Sequence, residues 1–179
     1  MPEVRGRALR VLFDETAIAR RNAELAVEIG AAGYRNLLVV SILKGSFIFA
    51  ADLIRALSGA GLAPEVEFLA LSSYGEGTES TGSVRVVRDI ETDVRGRDVL
   101  LVDDILESGR TLAFARNLML ERGAHRVSIA VLLDKRGKRL AGVEAEHVGF
   151  DCPDYFVVGY GMDVAHAFRE LPYVGVIED

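Results

Sequence analysis

Short apolar runs alternate along this chain with segments that have helical periodicity. The β-branched run NLLVVSIL has the length of a strand and ends abruptly at Lys44-Gly45. Further strands are predicted at residues 66–72, 98–102, 127–133, 155–158 and 174–177. Helices are predicted at residues 14–32, 46–57 and 110–121, the first of them capped by Asp14. Apolar strands separated by helices predict an α/β fold, in which helices cover both faces of a mostly parallel sheet.

Composition narrows the class of protein. The 179 residues are 50% hydrophobic and 27% charged, which predicts a single globular domain over residues 1–179. No apolar run exceeds five residues, so we expect no membrane span. The net charge of -6 argues against a nucleic-acid partner, which would favour a basic surface. The lone Cys152 cannot form an internal disulfide, which fits a cytoplasmic location.

The most informative segment is VLLVDDILESGRTLAFA at residues 99–115. Ligands of open α/β sheets bind beyond the carboxyl ends of strands, and Asp103 and Asp104 are predicted to follow such an end. The next residues run into a helix, whose first turn offers unpaired N–H groups and a positive dipole to an anion. Gly109 permits close approach of the backbone, and Ser108 and Thr111 add hydroxyl donors. This segment is predicted to bind a phosphate.

The two aspartates need a separate explanation, because they would repel a phosphate. They are suited to accept hydrogen bonds from sugar hydroxyls or to hold Mg²⁺. Neighbouring residues of a strand point to opposite faces, so both can serve one ligand only where the strand has ended. The alternative is that Asp103 and Asp104 merely terminate the strand and that Ser108 caps the helix.

Other sequence features exclude competing sites and identify a loop. There is no P-loop, no early G-x-G-x-x-G and no G-x-S-x-G. The three histidines are scattered and accompany one cysteine, so no zinc site is indicated. The segment GEGTESTGS at residues 75–83 has three glycines and almost no apolar side chain. Such a loop is usually functional or mobile, and the alternative is an idle surface loop.

The run VLLVDDILESGRTL resembles the phosphoribosyl pyrophosphate (PRPP) signature of type I phosphoribosyltransferases. Four other segments resemble the hypoxanthine-guanine members of that family: SILKGSFIFAADLIRAL, LSSYGEGTESTGSVRV, LLDKRGKR and VGFDCPDYFVVGYGMDVAHAFRELPYVGVI. The resemblance extends over roughly residues 10–178. The resemblance implies the type I phosphoribosyltransferase fold, with a PRPP-binding core at about 10–135 and a small hood at about 136–172 that a lid segment completes. It also implies a homo-oligomer, either a dimer or a tetramer.

The resemblance further implies how PRPP would be bound. The 5′-phosphate would be held by Ser108, Gly109, Arg110 and Thr111. The ribose hydroxyls would be contacted, directly or through Mg²⁺, by Asp103 and Asp104. The pyrophosphate would be met by Lys44, Gly45, Arg169 and Arg139, and a second Mg²⁺ by Asp163. In that family the bond between Lys44 and Gly45 is often a cis peptide.

The same resemblance implies the base site and the reaction. Phe156 would stack on the purine, Lys135 would donate to its 6-oxo oxygen, and the backbone of Val157 would read the neighbouring ring edge. Ser73 and Tyr74 would belong to the catalytic lid. The implied reaction is purine salvage, in which PRPP and hypoxanthine or guanine give IMP or GMP and pyrophosphate.

One position departs from the family pattern. Glu107 stands where the family usually has Asp, the residue that handles the proton on purine N7. Glutamate has similar acidity but is one methylene longer. The change is interpreted as a tolerated substitution with an altered base preference, and the alternative is a slow or non-catalytic member of the family. The alternative functions are transfer to another base, such as xanthine, adenine or a pyrimidine, and a non-catalytic PRPP-sensing regulator. Lys135 with Phe156 favours a 6-oxopurine over adenine, because an ammonium group can only donate.

Overall fold

The computed structural model describes residues 3–73 and 83–178. The strands in these residues are Glu3–Val4 (β1), Arg7–Phe13 (β2), Leu38–Leu43 (β3), Glu65–Ser73 (β4), Val84–Arg88 (β5), Asp98–Leu106 (β6), Arg126–Asp134 (β7), His147–Asp151 (β8), Val157–Val158 (β9) and Val174–Ile177 (β10). The helices are Glu15–Ala31 (α1), Phe47–Gly59 (α2) and Arg110–Glu121 (α3), with a 3-10 turn at Arg136–Lys138. None of these helices is both long and apolar enough to cross a membrane.

The larger sheet has the strand order β5-β4-β3-β6-β7-β8. Its neighbours are parallel except at one edge, where β5 pairs with β4 in the antiparallel sense. The central strands are buried on both faces, because successive side chains point to opposite helical layers. Val39 packs with residues of α1 and α2, whereas its neighbour Val40 packs with residues of α3. The predicted α/β fold with a mostly parallel sheet between helices is therefore confirmed.

The chain reverses its direction of winding between β3 and β6. The connection through α2 leads from β3 to β4 on one side, and the connection through α3 leads from β6 to β7 on the other. Such a switch point opens a crevice at the carboxyl ends of the two strands, where ligands of open α/β sheets bind. The segment that follows β6 is the predicted phosphate-binding segment.

A smaller antiparallel sheet has the order β1-β2-β10-β9. The strands of this sheet are not all drawn from residues 136–172, the range predicted for the hood. Within that range β8 pairs with β7 in the larger sheet, and the N-terminal strand β2 joins the smaller sheet. The short strands β9 and β10 need partners for their backbone groups: β10 pairs with β2 on one side and with β9 on the other. Leu9 of β2 is fully buried against Val158, Phe168 and Leu171.

Helix boundaries agree closely with the sequence prediction, but β6 extends four residues beyond its predicted end. Asp14 caps α1, since its Oδ1 accepts a hydrogen bond from the backbone N–H of Ala17 at 2.7 Å. The strand predicted at 98–102 continues to Leu106 because β7 runs beside it as far as Asp134. Asp103 and Asp104 therefore lie within β6 and do not follow its end.

Tyr160 connects the segment between β9 and β10 to the helical layer. Its buried hydroxyl donates to the carboxylate of Asp52 on α2 and accepts from Nδ2 of Asn22 on α1 at 2.9 Å. Burial, with the neighbouring Asp52, raises the pKa of Tyr160 well above its ordinary value of 10.0. The phenol thus remains a neutral hydrogen-bond donor over the whole physiological range.

Replacing Tyr160 by Phe should destabilise the protein, because the buried amide of Asn22 loses its acceptor. A buried polar group without its partner costs about 1–3 kcal/mol, and urea unfolding should show a free energy of unfolding lower by that amount. Tyr155→Phe is the control, since Tyr155 is 39% exposed and surface changes usually stay within about 0.5 kcal/mol. Equal stabilities for Tyr160→Phe and the wild type would contradict this role.

Candidate active site

The crevice begins where β3 ends beside β6. Pairing between these strands stops at Ser41 opposite Val102, while β6 continues along β7 to Leu106 opposite Asp134. The residues of β6 after Val102 therefore border the crevice on the side that β3 has left. Asp104 N–H donates to Asp103 Oδ1 at 2.9 Å, and Ile105 N–H donates to Asp104 Oδ1 at 2.8 Å.

Asp103 and Asp104 form a strained electrostatic pair. Burial of Asp103 and, after it, the neighbouring Asp104 carboxylate raise the pKa of Asp103 well above 3.8. Among residues 3–73 and 83–178, no Lys, Arg or His forms an ion pair with either carboxylate. Two close carboxylates without a cation are unfavourable, and a hard divalent cation with oxygen preference would relieve their repulsion. The pair fits Mg²⁺.

The predicted phosphate-binding turn lines a cavity of about 330 Å³ that includes Asp103, Asp104, Glu107, Ser108, Gly109 and Thr111. Gly109 begins α3 with a φ of +81°. A Cβ at this position would lie 2.6 Å from Val143 Cγ1, so the turn requires glycine for both conformation and space. Arg110 is exposed, and its backbone N–H lies 3.4 Å from Ser108 Oγ. We name residues 107–111 the phosphate turn.

An adjacent cavity of about 380 Å³ brings together the residues expected to meet the base and the metal: Asp104, Glu107, Lys135, Phe156, Val157 and Asp163. Phe156 is 63% exposed, although its apolar surroundings in the sequence would favour a place in the core. An aromatic ring exposed at a cavity is suited to stack on a planar ligand. Lys135 is buried, and its Nζ lies 3.9 Å from Glu107 Oε1.

The turn after β3, which carries Lys44 and Gly45, approaches Asp104 from the side of the crevice opposite the phosphate turn. A Cβ on Gly45 would lie 1.9 Å from Asp104 Oδ2, so only glycine permits this approach of the backbone. The cis peptide bond joins Leu43 to Lys44, one bond earlier than the resemblance implied. The carbonyl of Lys44 already accepts a hydrogen bond from Phe47 N–H, at 3.2 Å, in the turn that starts α2.

Arg169 and Asp163 lie together at the edge of this site. Arg169 Nη2 lies 2.9 Å from Asp163 Oδ1, and Arg169 Nη1 donates to the carbonyl of Gly161 at 2.6 Å. A Cβ on Gly161 would lie 2.5 Å from the Gly45 carbonyl oxygen. The segment that carries Asp163 and Arg169 therefore packs directly on the turn that carries Lys44, which is exposed.

One expected site residue, Arg139, is placed differently, and another lies outside the described residues. Arg139 does not point into the crevice, because its guanidinium binds the carboxylate of Asp134 and the carbonyls of Glu107 and Val143. Ser73 is the exposed last residue of β4. Tyr74 lies outside the described residues, as does most of the loop predicted at 75–83.

The base cavity also contains residues that sequence reasoning missed: Ile105, Lys138, Asp154, Tyr155 and Met162. Lys138 Nζ lies 2.8 Å from Asp154 Oδ1 and 3.4 Å from Glu107 Oε1. Asp154 first, and then Glu107, raise the pKa of Lys138. Its position in a run of basic residues indicated only a solvated turn, and the two acids that face it come from other parts of the chain.

The chain matches the family model of the phosphoribosyl transferase domain over residues 11–165. The fold and the site thus define a phosphoribosyltransferase, an enzyme of the pentosyltransferase class.

Comparison with individual proteins is more specific. The chain is 42% identical over 181 residues to a hypoxanthine-guanine phosphoribosyltransferase of Aquifex aeolicus, covering 100% of both chains. A hypoxanthine phosphoribosyltransferase structure from Staphylococcus aureus superposes with a TM-score of 0.88 at 39% identity, covering 94% of this chain and 91% of that one. One from Trypanosoma cruzi, studied for the role of its C-terminal region in oligomeric state and enzymatic activity, has a TM-score of 0.91 at 37% identity, with 99% and 95% covered. The chain belongs to the family of hypoxanthine-guanine phosphoribosyltransferases.

Asp103→Asn should stabilise the ligand-free protein while it weakens PRPP binding. Because the fold raises the pKa of Asp103, the unfolded chain releases this proton first as the pH rises above 3.8, and stability falls up to the raised pKa. The neutral amide avoids this loss, so we expect a higher Tm at pH 7.5 and a higher KM for PRPP.

The control for this prediction is Asp93→Asn. Asp93 is exposed, and its hydrogen bonds with Arg95 lower its pKa, so its replacement should not raise the Tm. A lower Tm for Asp103→Asn than for the wild type would show that the acid pair is not under electrostatic strain.

Proposed function

We propose that this enzyme transfers the 5-phosphoribosyl group of PRPP to hypoxanthine or guanine, giving IMP or GMP and pyrophosphate in purine salvage. The observation that carries the proposal is the base cavity, where a buried lysine, an exposed aromatic ring and four carboxylates from three segments adjoin the phosphate turn. The similarity to the hypoxanthine-guanine phosphoribosyltransferase of Aquifex aeolicus supports the same substrates.

The phosphate turn anchors PRPP at its 5′-phosphate. Ser108, Gly109, Arg110 and Thr111 provide backbone N–H groups at the start of α3 and hydroxyl donors, and the helix dipole adds a positive potential. Asp103 and Asp104 accept hydrogen bonds from the ribose hydroxyls. Asp103 and Asp104 would also hold Mg²⁺, which would supply neutralising charge to the pyrophosphate, and Asp163 would hold a second ion.

The departing pyrophosphate carries negative charge, which positive groups across the ribose from the phosphate turn must stabilise. Lys44 and Arg169 provide it, since the turn of Lys44 and the segment of Arg169 pack together next to Asp104. The C1′–O bond breaks with its electrons passing to pyrophosphate, and the purine N9–C1′ bond forms. Preorganised cations of this kind stabilise charge that develops in the transition state.

Glu107 takes the proton from purine N7 as the new bond forms. Its carboxylate lines both the base cavity and the phosphate cavity. Lys138 Nζ lies 3.4 Å and Lys135 Nζ lies 3.9 Å from its Oε1. These two ammonium groups therefore hold the Glu107 carboxylate at the site, although its side chain is one methylene longer than that of aspartate.

Lys135 and Phe156 select the base. Phe156 stacks on the purine, Lys135 donates to the 6-oxo oxygen, and the backbone of Val157 reads the adjacent ring edge. Adenine presents a donor where hypoxanthine and guanine present an acceptor, so an ammonium group disfavours it. Xanthine shares the 6-oxo group, and discrimination against it would depend on the opposite ring edge.

The wider biological setting belongs to the same proposal. The free, buried thiol of Cys152 suits a reducing cytoplasm. A homo-oligomer, either a dimer or a tetramer, is proposed from the family resemblance, and oligomeric state is a property that has been studied in the Trypanosoma cruzi relative. Transfer to another base and a PRPP-sensing regulator are the alternatives, and the regulator would not turn PRPP over.

Lys135→Ala should impair the use of both 6-oxopurines, because it removes the proposed donor to the 6-oxo group. A hydrogen bond to a charged group contributes about 1.5–3 kcal/mol, so kcat/KM for hypoxanthine and for guanine should fall about ten- to hundredfold. Arg136→Ala is the matched control, since Arg136 is 71% exposed on the same turn. Normal kinetics of Lys135→Ala with both bases would assign the oxygen to another residue.

Glu107→Gln tests the proton acceptor, because it keeps the size of the side chain and removes its basicity. General acid–base catalysis contributes about 10²- to 10⁴-fold, and the single-turnover rate should fall within that range while PRPP binding survives. Glu107→Asp should keep substantial activity, since it retains the carboxylate. A single-turnover rate for Glu107→Gln within about twofold of the wild type would remove Glu107 from catalysis.

A further inference from the structure

A buried ion pair lies directly behind the phosphate turn. Asp134, the last residue of β7, has a side chain only 2% exposed, and the side chain of Arg139 is 14% exposed. The carboxylate of Asp134 accepts a hydrogen bond from Arg139 Nη2. Burying two charges costs stability unless additional hydrogen bonds compensate, and Arg139 makes such bonds with its other nitrogens.

The remaining nitrogens of Arg139 bind two backbone carbonyls. Nε donates to Glu107 at 3.2 Å, and Nη1 donates to Val143 at 2.7 Å. A guanidinium group is planar and rigid, so it fixes the relative positions of all its partners at once. Here the partners are the first residue of the phosphate turn, the residue before Lys135, and the segment that follows Arg139.

That segment, residues 140–143, is itself packed on the phosphate turn. The N–H groups of Leu140 and Ala141 both donate to the carbonyl of Ser108 at 2.9 Å. A Cβ on Gly109 would lie 2.6 Å from Val143 Cγ1 and 3.2 Å from Arg139 Cδ. The phosphate turn therefore packs against residues 140–143 without space between them. A shift of Arg139 would move these residues and, with them, the phosphate turn.

We infer that Asp134 and Arg139 brace the phosphate turn against the strand end that carries Lys135. Arg139 is thus a positioning residue for the 5′-phosphate and not a ligand of the pyrophosphate. The inference rests on the proposed function only for the presence of a phosphorylated ribose in the turn, and it does not depend on which base is used.

The two roles of Arg139 differ in the fragment of PRPP that loses affinity. Ribose 5-phosphate has the 5′-phosphate alone, and inorganic pyrophosphate with Mg²⁺ has the other group alone. Arg139→Lys keeps a cation near Asp134 but lacks the fork that binds both carbonyls. By calorimetric titration we expect its affinity for ribose 5-phosphate to fall about tenfold or more, with less than about a twofold change for pyrophosphate.

Arg136→Lys is the matched control. Arg136 also contacts Asp134, at 3.3 Å, but is 71% exposed, so both affinities should stay within about twofold of the wild type. Asp134→Asn is the second variant if Arg139→Lys does not fold, because it keeps the size of the side chain and releases the charge that orients Arg139. It should show the same selective loss for ribose 5-phosphate.

Three results would overturn the brace. A loss confined to pyrophosphate would make Arg139 a pyrophosphate ligand, as the sequence resemblance implied. Equal losses for both fragments would show a general effect that is not directed at the phosphate turn. Unchanged affinities for both fragments would remove Arg139 from substrate binding altogether.

Discussion

The register between β6 and β7 is the constraint on which the rest of the site depends. The two strands remain paired after β3 has ended, up to Leu106 opposite Asp134, and Lys135 N–H donates to the Leu106 carbonyl at 2.9 Å. The two strands therefore end side by side, so Glu107, which follows β6, lies next to Lys135, which follows β7. A slip of one residue would turn each following side chain to the opposite face and separate these two groups.

The same register explains why the site is electrostatically costly. Because β6 continues along β7 after its pairing with β3 has stopped at Ser41, it carries Asp103 and Asp104 into the crevice, and the burial of Asp103 raises its pKa. Gly45 leaves room for Asp104 only because it has no side chain. Stability is thus lower at a place where a cation and its phosphorylated ligand would compensate, as in many sites that bind charged substrates.

Local patterns were enough to predict the fold class, the cap at Asp14 and the bounds of α3, since each depends on residues close in sequence. They were not enough for β2 and β8, which are defined by partners far along the chain. The phosphate turn followed from its own residues, whereas the base site required the family resemblance. Phe156 looks like a core residue in sequence and is 63% exposed. Arg139 looks like part of a solvated turn, and only the buried Asp134 directs it inward.

The central claim is that one crevice joins PRPP to a 6-oxopurine. It is tested most directly by measuring pyrophosphate release from PRPP and Mg²⁺ with hypoxanthine, guanine, xanthine, adenine and uracil supplied one at a time. The account predicts rapid release with hypoxanthine and guanine and little with adenine or uracil, since the buried Lys135 is proposed to donate to the 6-oxo group. A preference for adenine or uracil, or no release with any base, would contradict it.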